Sequence, residues 1–555
     1  MTGTILGVLD KKVIVQPTES KPNRNVMVVG GPGSYKSQSY VITNVINETE
    51  NSVVTTDPKG EIFEETAEIK RAQGYEVHVL NYSNMLASDR QNPIDYVRKD
   101  IHATTVATKI VDSANKDGKK DVWYYSQKAL LKALILYAKY ELHPDNRNLP
   151  GILDFLQEFD PEQGEDDDES ELDKQFLILN RKHPARRAYE LGYKKAKGDM
   201  QGSIIMSLLT TIADFVDEEV AEFTKCSDFH LRDIGRKKIA LYVIIPAMDN
   251  SWEGLVNILF SQLFNELYDL AAENHAKLPV SVSFFLDEFV NLGKFPNYEE
   301  FLATCRGYGI GVSTIIQSIT QLQDKYNDKK AESILANCAV KICLNASNLT
   351  TANYFKDLLD KATVKVDTEG ESTQHGKEAT TSSTSENTSY SGRDLMTAGE
   401  IMRMEEDESL VIFQTKRPIK AKKAFQFMIF PGLLDSKVFT TSQVEYRGQM
   451  SDSQKEMYRE MIDEYEQYMQ KSSGEKMANV AERKEQQVKK QVEQEEKEIA
   501  DANSFFFVDS GPEEVVNDPE QEQLEALEVE PDFSEVEKDS PADFIFEEEE
   551  ETVGV

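Results

Sequence analysis

The chain has 555 residues, 39% of them hydrophobic and 29% charged, with a formal net charge of −36. This length implies roughly two to four folded units, with enough apolar residues for a sizeable core. Such acidity excludes a protein that coats nucleic acid non-specifically, but not one that holds DNA in a local basic channel.

The charge is uneven. From Asp501 to Val555 there are 20 acidic residues against Lys538 as the one basic residue, a net of −19, which leaves −17 on the first 500 residues. The cysteines Cys226, Cys305, Cys338 and Cys343 form no CxxC pair. Neither a disulfide framework nor a zinc site is expected, and a reducing compartment fits. No apolar run approaches the ~18 residues of a membrane span. The longest patch, Ile239 to Met248, reads as a strand.

In chain order, Asn25–Val29 reads as a buried strand that runs into the glycine-rich GGPGSYKS, and Lys36–Ile46 has helical spacing. Ser52–Thr56 is a second β-branched strand, followed by DPKGE. Ile62–Ala72 then reads as helix and Tyr75–Leu80 as strand. Strand–helix repeats with short links predict an α/β fold on a parallel sheet. From Ile101 to His230 the periodicity is helical, with Trp123–Tyr140 placing Leu131, Leu134, Ile135 and Ala138 on one face. Pro161–Lys174 reads as a solvated acidic loop. Strands return at Lys238–Ile245, Val280–Leu286, Gly311–Gln317 and Ala339–Asn345. Asp367–Tyr390, rich in Ser, Thr and Glu, reads as a mobile loop. Ser409–Thr415 and Ala424–Phe430 read as a closing hairpin around KRPIKAKK. The expected organisation is a nucleotide-binding domain over 1–105 and 231–445, an all-α insertion over 106–230, a charged helix over 446–500 and a disordered acidic tail over 501–555.

GGPGSYKS fits G-x-x-x-x-G-K-[ST] except that Tyr35 replaces the final glycine. A phosphate cradle needs backbone N–H groups turned toward an anion and a permissive backbone, which Gly30, Gly31 and Gly33 would supply, with Ser34 and Tyr35 among the nucleotide-binding residues. Lys36 would reach the β/γ-phosphates and Ser37 would bind Mg²⁺. FFLDE, at Phe284–Glu288, is an apolar strand ending in two carboxylates. Asp287 would hold the Mg²⁺ water shell and Glu288 would polarise the attacking water, making the pair an ATP-hydrolysing set with Mg²⁺ as cofactor. In P-loop ATPases of this kind the next strand lies between the other two, so Gln317 at its end is either a γ-phosphate sensor or a strand cap. Arg306 is either an arginine finger acting on a neighbour's ATP or a partner in a structural ion pair. Arg393 is a second candidate. Asp57, Lys59 and Glu61 of DPKGE either line the nucleotide rim or form a turn and helix start.

Taken in order, GGPGSYKS, DPKGE, NPIDYV, DVWYYSQKALL, FFLDEFVNLGKFP, CRGYGIGVSTIIQSITQL and GRDLMTAGEI resemble the TraG/TraD-type coupling proteins of conjugative type IV secretion. The resemblance covers roughly Gly7 to Phe430. It implies a RecA-like domain carrying an all-α insertion, assembled as a hexameric ATPase at the cytoplasmic face of the cell membrane. It further implies that the protein receives a relaxase bound to single-stranded DNA, with accessory relaxosome proteins, and passes it to the secretion-channel proteins. By that resemblance Lys36 and Ser37 bind nucleotide and Mg²⁺, Asp287 and Glu288 form Walker B, and Gln317 and Arg306 sense the γ-phosphate and act in trans. Family members usually begin with transmembrane helices, whereas this chain begins with MTGTILGVL. A cytosolic part lacking its N-terminal anchor is therefore expected.

A DNA contact is expected at RKHPARRAYELGYKKAKG, where Arg186, Arg187, Lys194 and Lys195 would hold phosphates while Tyr189 and Tyr193 stack on bases. A solvated helix face is the alternative. In the tail, FFFV and FIF are hydrophobic islands suited to docking on a basic partner, or parts of a solubilising segment. Two other functions stay open: a docking receptor with little or no hydrolysis, which Tyr35 would suit, and a soluble ring DNA translocase.

Overall fold

The structure, a computed structural model, describes residues 3–18, 23–115, 120–159, 170–196, 199–246, 251–295, 297–375 and 380–431. The chain divides into two compact units, 1–475 and 476–555. The second lies outside the described residues, as do the charged helix, the acidic tail and residues 161–169 of the acidic loop.

The strands are β1 (Thr4–Leu9), β2 (Lys12–Gln16), β3 (Val26–Val29), β4 (Ser52–Asp57), β5 (Glu76–Asn81), β6 (Ile239–Ile244), β7 (Val282–Leu286), β8 (Ile310–Ile316) and β9 (Val340–Cys343). They continue with β10 (Lys361–His375), β11 (Thr380–Asp394), β12 (Glu408–Phe413) and β13 (Ile419–Lys422). Eleven of them form one sheet in the order β2-β1-β13-β12-β9-β3-β8-β7-β4-β6-β5. From β9 to β5 every neighbour is parallel. The β12, β13, β1 and β2 strands add an antiparallel extension. Strand β8 lies between β3 and β7, as anticipated from the strand that follows FFLDE.

Alternation along the strands explains why the parallel part is buried on both faces. Met27, Val29, Phe284 and Leu286 belong to one apolar cluster, and Val26, Val28 and Phe285 to the other. The first cluster runs on into the helices that follow β5. These are α3 (Asp100–Ala114), α4 (Val122–Glu141), α5 (Leu149–Gln157), α6 (Glu171–Leu177), α7 (Pro184–Leu191), α8 (Asp199–Thr211) and α9 (Glu218–Thr224), after α1 (Ile42–Asn47) and α2 (Glu61–Ala72) in the first part of the sheet. Helix α4 starts where the Asp121 carboxylate accepts the N–H groups of Trp123 and Tyr124. Leu131, Leu134, Ile135 and Ala138 are all buried on it.

Three expectations change. Residues 171–174 of the presumed acidic loop open α6, with a capping box between Ser170 and Asp173. The presumed mobile loop is instead most of a two-stranded ribbon, β10 against β11, paired from Lys361↔Asp394 to His375↔Thr380. A ribbon is held by its main-chain ladder, and β-branched threonines favour extension without supplying an apolar alternation to read. The closing hairpin is real but shifted: β12 pairs with Ile419–Lys422, inside KRPIKAKK, while Gln426–Ile429 forms a helical turn.

Candidate nucleotide site

The glycine loop follows β3 at the C-terminal ends of the parallel strands. The Gly30 N–H donates to the Ile316 carbonyl of β8 at 3.0 Å. A Cβ on Gly30 would sit 2.4 Å from Ser34 Oγ, so a side chain here would push the Ser34 hydroxyl aside. The Gly31 N–H donates to Asn345 Oδ1 at 2.7 Å, which ties the loop to the segment after β9. Gly33 takes a left-handed φ of +73°.

Tyr35 stands where the motif has glycine, and its backbone lies in the left-handed region that glycine favours, with φ at +61°. For a residue with a side chain this costs roughly 1–2 kcal/mol. Its ring, 41% exposed, packs edge-on against Phe425 with centroids 5.6 Å apart. The Phe425 contact holds the ring of this left-handed residue in place.

Beyond Tyr35 the helix opens as a wide first turn, Ser37–Val41, and then becomes α1. Lys36 stands at its N-terminus without a side-chain cap, an end suited to an anion. Lys36 Nζ lies 3.3 Å from the Gly31 carbonyl. Burial holds its amine below the usual lysine range, while Asp287 and Glu288 pull it back up. Exposed Lys59 of DPKGE is close enough to add to the lowering.

Ser37 Oγ donates to Asp287 Oδ2 at 3.3 Å, joining the loop to the end of β7. Asp287 is buried, and its carboxyl is pushed up to about 6 by that burial although Lys36 opposes the shift. The Thr56 hydroxyl donates to the Asp287 carbonyl at 2.8 Å. Glu288 has a left-handed φ of +47°, and its N–H donates to Asp287 Oδ1. This turn aims the two carboxylates differently: Asp287 toward Ser37, and Glu288 toward Asn291 Nδ2 (2.8 Å) and Gln317 Nε2 (3.4 Å). Gln317 Oε1 in turn accepts from Gln321 at 3.3 Å.

The donor set fits Mg²⁺ and a phosphate chain. The hydroxyl of Ser37 and the buried carboxylate of Asp287 are hard oxygen ligands beside a lysine and an uncapped helix start. Asp57, by contrast, is spent on structure: its carboxylate accepts the N–H groups of Gly60 and Phe63 at 2.8 Å and starts α2. Burial still pushes its carboxyl up to about 7.

Arg306 is not brought to this site within one subunit. It is exposed on the turn Cys305–Tyr308 that precedes β8, whereas Gln317 follows β8. A strand of this length separates the two by roughly 20 Å. Arg393 lies on β11, paired with Glu400 at 3.0 Å.

The basic stretch also resolves differently. Tyr189 and Tyr193 are buried, and Tyr189 stacks on Phe176 with centroids 4.1 Å apart while donating to Asp173 at 2.9 Å. They are core residues of the helical region and present no ring for a base. Arg186 bonds Glu190 and the Leu179 carbonyl near the end of α6, and Lys194 pairs with Asp173 at 3.0 Å. Arg187 and Lys195 stay exposed.

Asn345, Asn291 and Lys423 were not singled out from the sequence. Asn345 follows a parallel strand next to β3, where ligands to such sheets bind, and that rule would have found it. Asn291 lies three residues beyond Glu288. Lys423 reaches the loop from nearly 400 positions away, which no local pattern encodes.

The strand order, the loop after β3 and the carboxylates after β7 define a RecA-like P-loop α/β fold. Residues 10–457 match the family described as Type IV secretory system Conjugative DNA transfer, and the chain belongs to it. It is 24% identical over 414 residues to Protein VirD4 of Rhizobium radiobacter, covering 72% of this chain and 56% of that one. It is 26% identical over 331 residues to Conjugal transfer protein TraG of Escherichia coli, covering 57% and 52%. The chain thus spans about half the length of these relatives. Among solved structures it resembles the bacterial conjugative coupling protein TrwBdeltaN70 in its unbound monoclinic form, with a TM-score of 0.52, 16% identity, and coverage of 76% and 88%. The plasmid coupling protein TrwB in complex with ADP and Mg²⁺ gives 0.51, 15%, 77% and 90%. Among the described residues, no helix is long and apolar enough to cross a membrane.

Proposed function

We propose that this coupling-family protein binds and hydrolyses ATP to deliver relaxase-bound single-stranded DNA to a conjugative type IV secretion channel. The observation that carries this is the convergence of Lys36, Ser37, Asp287, Glu288 and Gln317 at the ends of three adjacent strands. The TrwB structure with ADP and Mg²⁺ supports the nucleotide part.

In this reading the N–H groups of Gly33, Tyr35, Lys36 and Ser37, together with the Lys36 amine, hold the phosphates, since the Gly31 and Ser34 N–H groups are engaged by Asn345 and the Gly31 carbonyl. Ser37 and Asp287 would hold Mg²⁺, which when bound neutralises phosphate charge and orients the γ-phosphoryl group. Glu288 accepts a proton from the water whose oxygen attacks the γ-phosphorus, as the bond to the β–γ bridging oxygen breaks. Asn291 and Gln317 hold its carboxylate, and Gln317 reports the γ-phosphate. Arg306, remote within its own subunit, serves a neighbouring copy in a homo-hexamer at the cytoplasmic membrane face. Arg187 and Lys195 are the exposed basic residues available to DNA, and accessory relaxosome proteins and channel proteins are the remaining partners.

A second reading, a docking receptor that scarcely hydrolyses, is favoured only by the strained Tyr35. Phosphate release and binding of a non-hydrolysable ATP analogue separate the two. Hydrolysis should vanish in Lys36→Thr and in Glu288→Gln, with binding kept in Glu288→Gln. Wild-type turnover equal to that of both variants would sink the motor reading.

A further inference from the structure

The end of β13 approaches the phosphate loop. Lys423 is buried, and its Nζ donates to the Ser34 carbonyl at 3.0 Å. The same ammonium lies 5.8 Å from the centroid of the Tyr35 ring. Ala424 accepts the Thr43 hydroxyl at 2.7 Å, which fastens this segment to the helix behind the loop, and Phe425 packs on Tyr35. Lys423, Ala424 and Phe425 thus meet the loop where the motif's glycine is missing.

The consequence follows from the planarity of the peptide. In a trans peptide the C=O of one residue and the N–H of the next point in opposite directions. Drawing the Ser34 carbonyl toward Lys423 therefore turns the Tyr35 N–H the other way. The Tyr35 carbonyl is held likewise by the Ser39 N–H at 2.8 Å and the Ser39 hydroxyl at 2.7 Å, which aims the Lys36 N–H. With glycine at position 35 the left-handed backbone would need no such support.

We infer that Lys423 is a positioning residue for nucleotide: it pins the Ser34 carbonyl so that a phosphate loop with tyrosine in place of glycine keeps its N–H groups aimed at the phosphates. The inference rests on the ATP-site reading above. Its requirement for Lys423 is conditional on Tyr35, which a merely structural role would not produce.

The test is a double-mutant cycle on the whole chain, read as the dissociation constant of a non-hydrolysable ATP analogue with Mg²⁺, with thermal melting alongside. Losing a charge-assisted hydrogen bond that orients the loop should weaken binding by about tenfold in Lys423→Met. Lys423→Arg should restore most of it. In the Tyr35→Gly background the same Lys423→Met change should cost less than about threefold. Equal weakening in both backgrounds, or a lower melting temperature with unchanged affinity, overturns the inference. Lys36→Thr keeps the two levels apart. If it binds the analogue like wild type, the nucleotide reading itself fails. If it loses binding while the Lys423 variants match wild type, only the role of Lys423 fails.

Discussion

Replacing Asp287 with asparagine should stabilise the metal-free protein while destroying hydrolysis. Asp287 is buried beside Ser37, with its carboxyl pushed up to about 6 from the ordinary 3.8. The sign follows from proton linkage. Below pH about 4 the group is neutral in both folded and unfolded chains. Between about 4 and 6 the unfolded chain has released its proton and the folded chain has not, so stability falls as pH rises. Above about 6 the penalty is complete, and the gap between the two values corresponds to about 3 kcal/mol. At pH 5 the same linkage leaves roughly half of it. Asparagine keeps the shape, accepts the Glu288 N–H and still meets the Ser37 hydroxyl, but carries no charge to bury. Urea unfolding of nucleotide-free protein in chelator should show Asp287→Asn more stable by about 1–3 kcal/mol near neutral pH, with the gain shrinking toward pH 5. Adding Mg²⁺ and the ATP analogue should stabilise wild type more than the variant. A variant no more stable than wild type near neutral pH, or a gain independent of pH, would refute the reasoning.

Other consequences are equally direct. Asn345→Ala removes the acceptor for the Gly31 N–H and should weaken analogue binding several-fold, up to about tenfold, in a calorimetric titration. Tyr35→Gly should be more stable than Tyr35→Ala, reversing the usual order, because only glycine takes φ near +61° without strain; comparative melting curves decide it. Arg187→Glu with Lys195→Glu should lower single-stranded DNA affinity and steepen no unfolding curve. Tyr189→Ala, in the core, should cost about 3–5 kcal/mol in denaturant unfolding whatever it does to DNA.

Where function depends on strand ends, the sequence was informative. VMVV, FFLDE and GVSTIIQ each carry an apolar run and the polar residues that stop it, so the loop, Asp287, Glu288 and Gln317 are legible as strand-end residues. The central position of β8 followed instead from the strand order of P-loop ATPases with a second carboxylate after the strand. The rest depended on contacts far apart in the chain. Tyr189 and Tyr193 sit among basic residues, yet helical spacing turns both rings inward and leaves Arg187 and Lys195 outside. The β10–β11 ribbon has a polar sequence, and its register is seen in the main-chain pairing of the two strands. Asn345 reaches the loop from the end of the strand beside β3, and Lys423 from the end of β13, three places away in the sheet.

The central claim is that this fold is an ATPase completed by neighbouring copies and engaged by DNA. Phosphate release per subunit, measured over a range of protein concentrations with and without single-stranded DNA, tests it most directly. Turnover should rise with concentration, rise further with DNA, and disappear in Lys36→Thr, with Arg306→Ala removing the concentration dependence. Turnover that is flat in concentration, indifferent to DNA and unchanged in Lys36→Thr would contradict it.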